Sequence, residues 1–271
     1  MRLVRVQTPD GPRQAQVGPS GDTLLPPGTS SIPGCGDPPL HSTMAFGAQT
    51  TLLAPVVPSK ILCIGRNYTA HAAELGNTVP TRPLMFHKPT SSLIGPGAPI
   101  LLPPDSVRVE HEAELGVVIG LRSRHVRPEA AGEVIFGYVC LNDVTARDLQ
   151  RADGQFARAK GFDTFCPAGP WIETELDPAD LAIECEVAGE TRQKSRTSQM
   201  VFDVPTLVSA VSRVMTLFPG DVIATGTPAG VGPLTAGCDV TVRIQGLGEL
   251  RNSVRRDGVV PDDLPTPISQ G

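Results

Sequence analysis

Glu112 and Glu114 stand two apart in Val109-Glu-His-Glu-Ala-Glu-Leu-Gly-Val-Val-Ile-Gly120. The run ends in apolar, β-branched residues and reads as a strand that becomes buried. Side chains two apart on a strand share a face, which would bring both carboxylates together beside an apolar core. Adjacent buried anions repel and lose hydration, so they require a cation or a proton. An all-oxygen donor set suits a hard divalent ion, Mg²⁺ or Mn²⁺ ahead of Zn²⁺. A glutamate pair on the wet face of an edge strand has the same spacing.

A third carboxylate follows. Gly137-Tyr-Val-Cys-Leu-Asn-Asp-Val-Thr-Ala-Arg-Asp-Leu-Gln150 reads as a strand running into a helix, with Asp143 at the junction and Thr145 as N-cap. Arg147 and Gln150, three apart, share one helical face. Lys88, in Phe86-His-Lys-Pro89, and Lys160, in Ala159-Lys-Gly-Phe-Asp-Thr-Phe165, are two of only four lysines. Lysines so scarce are not coating the surface, which makes both candidates for anion binding. Lys160 facing the carboxylates would stay protonated and serve electrostatically; a lysine that only neutralises their charge would look the same. His71 and Glu74 are three apart in Asn67-Tyr-Thr-Ala-His-Ala-Ala-Glu-Leu-Gly76, a helix-length segment that Gly76 would end. Glu74 could accept from one ring nitrogen while the other takes a proton from water, although ordinary surface pairs share this spacing.

These blocks, in this order, resemble the fumarylacetoacetate hydrolase family, specifically its bacterial small-enzyme branch. The matching segments are Ile64-Gly-Arg-Asn-Tyr-Thr-Ala-His71 with Glu74, Phe86-His-Lys-Pro89, Ile94-Gly-Pro-Gly97, Glu112–Gly120, Asn142–Gln150, Arg158–Phe165 and Leu217–Gly232. The resemblance implies that Glu112, Glu114 and Asp143 hold the metal, Mg²⁺ or Mn²⁺ with Ca²⁺ as an alternative, and that Lys160 lies beside it. It assigns water activation to His71 and Glu74, on a helix that orders when ligand binds. Arg66, Tyr68, Lys88, Arg147 and Gln150 are implied at the substrate, and Thr225, Gly226 and Thr227 in a loop that holds its carboxylate. His87, Phe156 and Ala168 depart from the family's usual residues and are expected to reshape the pocket.

The expected activity is metal-dependent hydrolysis of the C–C bond of an acylpyruvate-like 2,4-dioxo acid through a pyruvate enolate. Decarboxylation of an oxaloacetate-like acid and isomerisation of a 2-hydroxy-dienedioate pass through the same enolate, so the resemblance leaves them open. A non-catalytic binding protein that retains the fold is the reading from another class. Metal-dependent turnover of any 2-oxo acid would exclude it.

Composition bounds the rest. A net charge of −5 and no basic tract beyond Arg255-Arg256 argue against a nucleic-acid partner. Gly226–Gly232 lacks the flanking pattern of a nucleotide-binding loop. No long apolar run suggests a membrane span or signal peptide. Six isolated cysteines read as free thiols in a reducing cytoplasm. His41, His111 and His125 have no partner motif and read as surface or supporting residues.

The elements must then position these groups. With 28 prolines and 28 glycines the chain reads as rich in strands and turns. Residues 1–11 suggest a hairpin turning at Asp10-Gly11, and residues 19–50 a linker. Asp203 caps an expected helix over 204–217, with Pro205 in its first turn. Residues 239–245 and 249–254 alternate as a terminal antiparallel pair. The expected fold is mainly β (α+β). It is the family's mixed β-sandwich roll, with a small N-terminal β domain and linker (1–55), a catalytic domain (56–271), and assembly as a homodimer.

Overall fold

The alternating N-terminus folds as its pattern suggests. Arg2–Thr8 and Gly11–Val17 pair antiparallel, and Gly11 takes a φ of 101°, where a side chain would be strained. The structure, a computed structural model, describes residues 1–28 and 31–258.

One large sheet runs through the molecule. Its strand order is Met44–Ala45, Thr23–Leu25, Gly11–Val17, Arg2–Thr8, Cys166–Glu173, Ile135–Asn142, Ala113–Ile119, Val222–Ala224, Ile61–Gly65 and Leu84–Lys88. Residues 19–50, expected to be a linker, instead contribute two strands, Thr23–Leu25 and Met44–Ala45, that extend this sheet. A second sheet orders Glu190–Arg196, Ala182–Val187, Asp239–Ile244, Gly248–Arg256 and Ile100–Leu102. The expected terminal pair is its Asp239–Ile244 and Gly248–Arg256.

The strand period of two sorts the core. Leu62, Ile64, Leu115, Val117, Ile119 and Cys140 face the second sheet, meeting Ile183, Cys185, Val242 and Ile244. Their neighbours Ile61, Cys63, Val118, Val139 and Leu141 face the opposite way, against Leu3, Cys166 and Ile172. A strand covered on both faces reads as an unbroken apolar run, as the fully buried Ala113–Ile119 does. All six cysteines are free thiols.

Three local expectations are corrected. The strand expected through 109–120 splits at Glu112: Val109–His111 joins a small sheet with Thr145–Ala146 and Gly232–Pro233, while Ala113–Ile119 joins the large one. Thr145 is not a cap, because it lies in that small sheet and its hydroxyl donates to the Asp143 carbonyl; the helix Arg147–Asp153 starts without a side-chain cap. The helix capped by Asp203, which accepts from Thr206 N–H at 2.9 Å, ends at Val214 instead of 217. Leu217 instead exchanges backbone hydrogen bonds with Ser123, which requires extended chain.

Candidate active site

The split at Glu112 builds the site. The Glu112 N–H donates to Asn142 Oδ1 at 2.9 Å, and its carbonyl accepts from Asp143 N–H at 2.8 Å. Glu112 and Asp143 are thereby fixed against each other. Glu114, one residue into the large sheet, completes the group: ligand atoms of Glu112, Glu114 and Asp143 lie within 4.8 Å of one another, all three side chains buried.

Cations surround two of the three. Lys160 Nζ donates to Glu112 Oε2 at 2.8 Å and to Asp143 Oδ2 at 2.7 Å. Lys88 Nζ lies 2.7 Å from Asp143 Oδ1, and Arg147 Nη2 donates to Glu112 Oε1. Glu114 has no ion-pair partner among the described residues; its hydrogen bond comes from Gly226 N–H at 2.8 Å. Burial raises the Glu112 pKa, but Lys160 and Arg147 outweigh it and hold the carboxyl well below its usual range. Burial, then the charges of Asp143 and Glu112, push Glu114 well above it. Burial also opposes the Lys160 charge, yet Asp143 and Glu112 hold its pKa above the ordinary lysine value.

Glu112, Glu114 and Asp143 face three buried cations, Lys88, Arg147 and Lys160, while Glu110 pairs with Arg147 and with Arg108. A hard divalent cation fits this set. The donors are all oxygen, they converge, and one of them, Glu114, is a buried carboxyl with no ion pair among the described residues.

The cluster opens on a cavity of about 310 Å³ lined by Glu112, Glu114, Asp143, Arg147, Gln150 and Lys160 and reached by His71, Arg66, Arg151 and Thr227. His71 is buried on the helix Thr69–Glu74, with Nδ1 3.4 Å from Glu74 Oε2. Burial pushes its pKa below the usual histidine value, although Glu112 pulls the other way. Gly230 N–H donates to both Glu74 oxygens, at 3.0 and 3.1 Å. The start of this helix is anchored too: the Asn67 side chain donates to the carbonyls of Phe202 and Thr225 and accepts from Phe202 N–H. Phe86 and Phe156 meet edge-on, 5.2 Å apart, along one wall.

The other expected site residues are distributed differently. Arg147 bridges Glu110, Glu112 and Gln150, donating to Gln150 Oε1 at 2.6 Å. Arg66, whose φ is 59°, and Arg151 line the cavity and have no ion-pair partner among the described residues. Lys88 and Tyr68 are buried and do not line the cavity; Lys88 lies against Asp143, and the Tyr68 hydroxyl has no hydrogen-bond partner. In the Thr225–Thr227 loop, the Thr225 hydroxyl donates to Leu115 O, Gly226 N–H to Glu114, and the Thr227 hydroxyl to Ala113 O. Only Thr227 of these lines the cavity. Of the three departures from the family pattern, only Phe156 lines it; His87 is exposed and Ala168 is in the core.

Reading the sequence missed Glu110, Gln193 and the burial of His111. Glu110 continues the two-residue series of Glu112 and Glu114, a signal that was available. Gln193 is the buried member of an otherwise exposed polar strand, and nothing in its neighbours marks it.

Known proteins share this arrangement of chain. Residues 60–255 match the sequence pattern described as fumarylacetoacetate (FAA) hydrolase C-terminal. The chain is 44% identical over 266 residues to protein Rv2993c of Mycobacterium tuberculosis, covering 95% of this chain and 99% of that protein. It is 42% identical over 219 residues to the mitochondrial oxaloacetate tautomerase Fahd2a of Rattus norvegicus, covering 76% of this chain and 70% of the relative. The crystal structure of a 5-carboxymethyl-2-hydroxymuconate delta-isomerase from Mycobacterium smegmatis superposes with a TM-score of 0.84 at 45% identity, covering 96% of this chain and 100% of that one. The mainly β architecture is therefore one that this chain shares with the Mycobacterium smegmatis structure over that structure's whole length. On that pattern and these identities, the chain belongs to the fumarylacetoacetate hydrolase family.

Proposed function

We propose that the protein is a metal-dependent enzyme acting on a small 2-oxo dicarboxylic acid, and that its reaction is keto–enol interconversion through an enolate. The observation that carries this reading is the convergence of Glu112, Glu114, Asp143, Lys160 and His71 on one cavity. A divalent ion held by the three carboxylates would supply chelation of the acid's carboxylate and keto oxygens and Lewis-acid polarisation of the carbonyl.

The protein's own groups do the rest. Lys160 has three N–H donors and uses two on Glu112 and Asp143, leaving one for the developing oxyanion. His71, neutral because burial disfavours its charge, takes a proton from C3 at Nε2 and returns it to the enolate oxygen to give the enol, or the reverse. Glu74 accepts from Nδ1–H and so sets the tautomer that leaves Nε2 free. Phe86 and Phe156 exclude water along one wall. Gln150 accepts from Arg147, so its amide N–H groups are the end that faces a ligand. Arg66 and Arg151, cations that line the cavity and have no ion-pair partner among the described residues, receive the distal carboxylate. The names of the tautomerase and isomerase relatives support proton transfer of this kind. The homodimer implied by the family and the cytoplasmic setting read from the isolated cysteines belong to the same proposal.

Hydrolysis of a 2,4-dioxo acid is the second reading. It is favoured by the braced Glu74, because the same imidazole can take a proton from water attacking C4. Incubating 2,4-dioxo acids, oxaloacetate and dienedioates with Mg²⁺ or Mn²⁺ and resolving products by NMR separates the two readings. In the same assays, replacing Arg66 and Arg151 with Gln should raise KM for a dicarboxylate by about 10–100-fold, the worth of a charged hydrogen bond. KM for a monocarboxylic analogue should change little. Equal increases for both would remove the distal-carboxylate role.

A further inference from the structure

At the strand break that carries the two glutamates, backbone groups lack their ordinary ladder partners and side chains take their place. The Glu112 N–H donates to Asn142 and the Ala113 carbonyl accepts from Thr227. The Ala113 N–H, lying between the two glutamates, donates to Gln193 Oε1 at 3.0 Å. Gln193 is fully buried, on the strand Glu190–Arg196 of the other sheet.

All of the Gln193 amide is engaged. Its Oε1 also accepts from His111 Nδ1 at 3.1 Å, and its Nε2 donates to Thr227 Oγ1 and to the Pro228 carbonyl, each at 2.7 Å. Ala113 N–H can only donate and the Pro228 carbonyl can only accept, so the orientation of the amide is fixed. One side chain therefore ties the Glu112–Glu114 segment to the loop whose Gly226 N–H holds Glu114. It does so without charge, beside the buried carboxylates Glu110, Glu112 and Glu114. A glutamate of the same shape would add another anion and would lose both donors.

We propose that Gln193 is a positioning residue for the metal site: it sets the separation of Glu112 and Glu114 by holding the peptide between them and the loop beyond. The inference rests on the reading that these carboxylates bind a divalent ion. Loss of an outer-shell partner of this kind lowers metal affinity by about 10–100-fold.

The test is Mn²⁺ binding by the full chain, followed through the electron paramagnetic resonance signal of free and bound ion. Gln193→Met keeps the length and removes all four hydrogen bonds. Asn252→Leu removes a comparably buried amide on the same sheet as Gln193, which donates to the loop carbonyls of Gly95 and Ala98, and controls for general loss of stability. Gln193→Met should weaken Mn²⁺ binding by about 10–100-fold and alter the spectrum of the bound ion at saturation. Asn252→Leu should do neither. Gln193→Asn, which keeps a neutral amide but withdraws it by one methylene, should fold if Gln193→Met does not, and its bound-ion spectrum should also differ from the parent's. Parental affinity and spectrum in either Gln193 variant, or losses matched by Asn252→Leu, would overturn the positioning role. Failure of the parent protein to bind Mn²⁺ would overturn the metal reading itself.

Discussion

Glu114→Gln is expected to leave the metal-free protein at least as stable as the parent while weakening Mn²⁺ binding by more than about 100-fold, beyond the loss caused by an outer-shell change. Glu114 is buried, repelled by Asp143 and Glu112, and held by one backbone N–H, which a glutamine oxygen can still accept. Removing its charge relieves that repulsion. Asp143→Asn should do the opposite to stability. It leaves Lys88, buried against Asp143, without a carboxylate and deprives Lys160 of one of two. Breaking a buried pair from one side costs about 3–5 kcal/mol. Both variants should lose metal, but only Asp143→Asn should unfold earlier in urea with chelator present. Equal destabilisation by the two would mean that Glu114 already has a compensating charge and that the site has no need of a cation.

His71→Ala should lower keto–enol interconversion, or hydrolysis, by about 10²–10⁴-fold, the usual loss with a general base. Metal affinity should persist, because His71 is not one of the three converging ligands. Decarboxylation of oxaloacetate needs no base for bond breaking and should survive better. Equal losses in all reactions would place His71 on the shared enolate alone. The pH profile gives a second view of the same residue. A base works in its neutral form, and burial pushes the His71 pKa below its ordinary value near 6.5. The acid limb of kcat/KM should therefore lie below about pH 6.5, with a constant rate through neutrality. Pairing Glu112 with a cation removes the main influence raising that pKa, so the metal-loaded protein shifts further the same way. An acid limb above pH 6.5 would contradict this environment for His71.

How far the sequence reads ahead of the structure depends on whether a partner is near in the chain. The hairpin at Asp10-Gly11, the Asp203 cap and the pairing of Arg147 with Gln150 are local, and spacing alone exposes them. Glu112 and Glu114 meet Asp143 as expected, though by a different route. The chain changes sheets at Glu112, and its peptide is pinned by Asn142, thirty residues away. No local pattern encodes such a break. Gln193 was hidden for the same reason, since its partners Ala113 and Thr227 are distant in sequence and its own strand looks polar throughout. Lys88 was legible as an unusual lysine, but not as one packed behind Asp143 and away from the cavity wall. Charge and scarcity mark a residue as special; only the fold says which side of the site it serves.

The central claim is that this site makes an enolate of a 2-oxo acid with the help of a divalent cation held by Glu112, Glu114 and Asp143. The direct measurement is hydrogen–deuterium exchange at C3 of a 2-oxo dicarboxylate in D₂O, followed by NMR against the buffer rate. Exchange reports C3 deprotonation to the enolate directly, the step that keto–enol interconversion requires, whereas hydrolysis and decarboxylation reach an enolate by C–C cleavage. The account predicts exchange well above background with Mg²⁺ or Mn²⁺, abolished by chelator and by Glu114→Gln and strongly slowed by His71→Ala. Exchange that persists after the metal is removed, or its absence from a metal-loaded protein that demonstrably binds the acid, would contradict it.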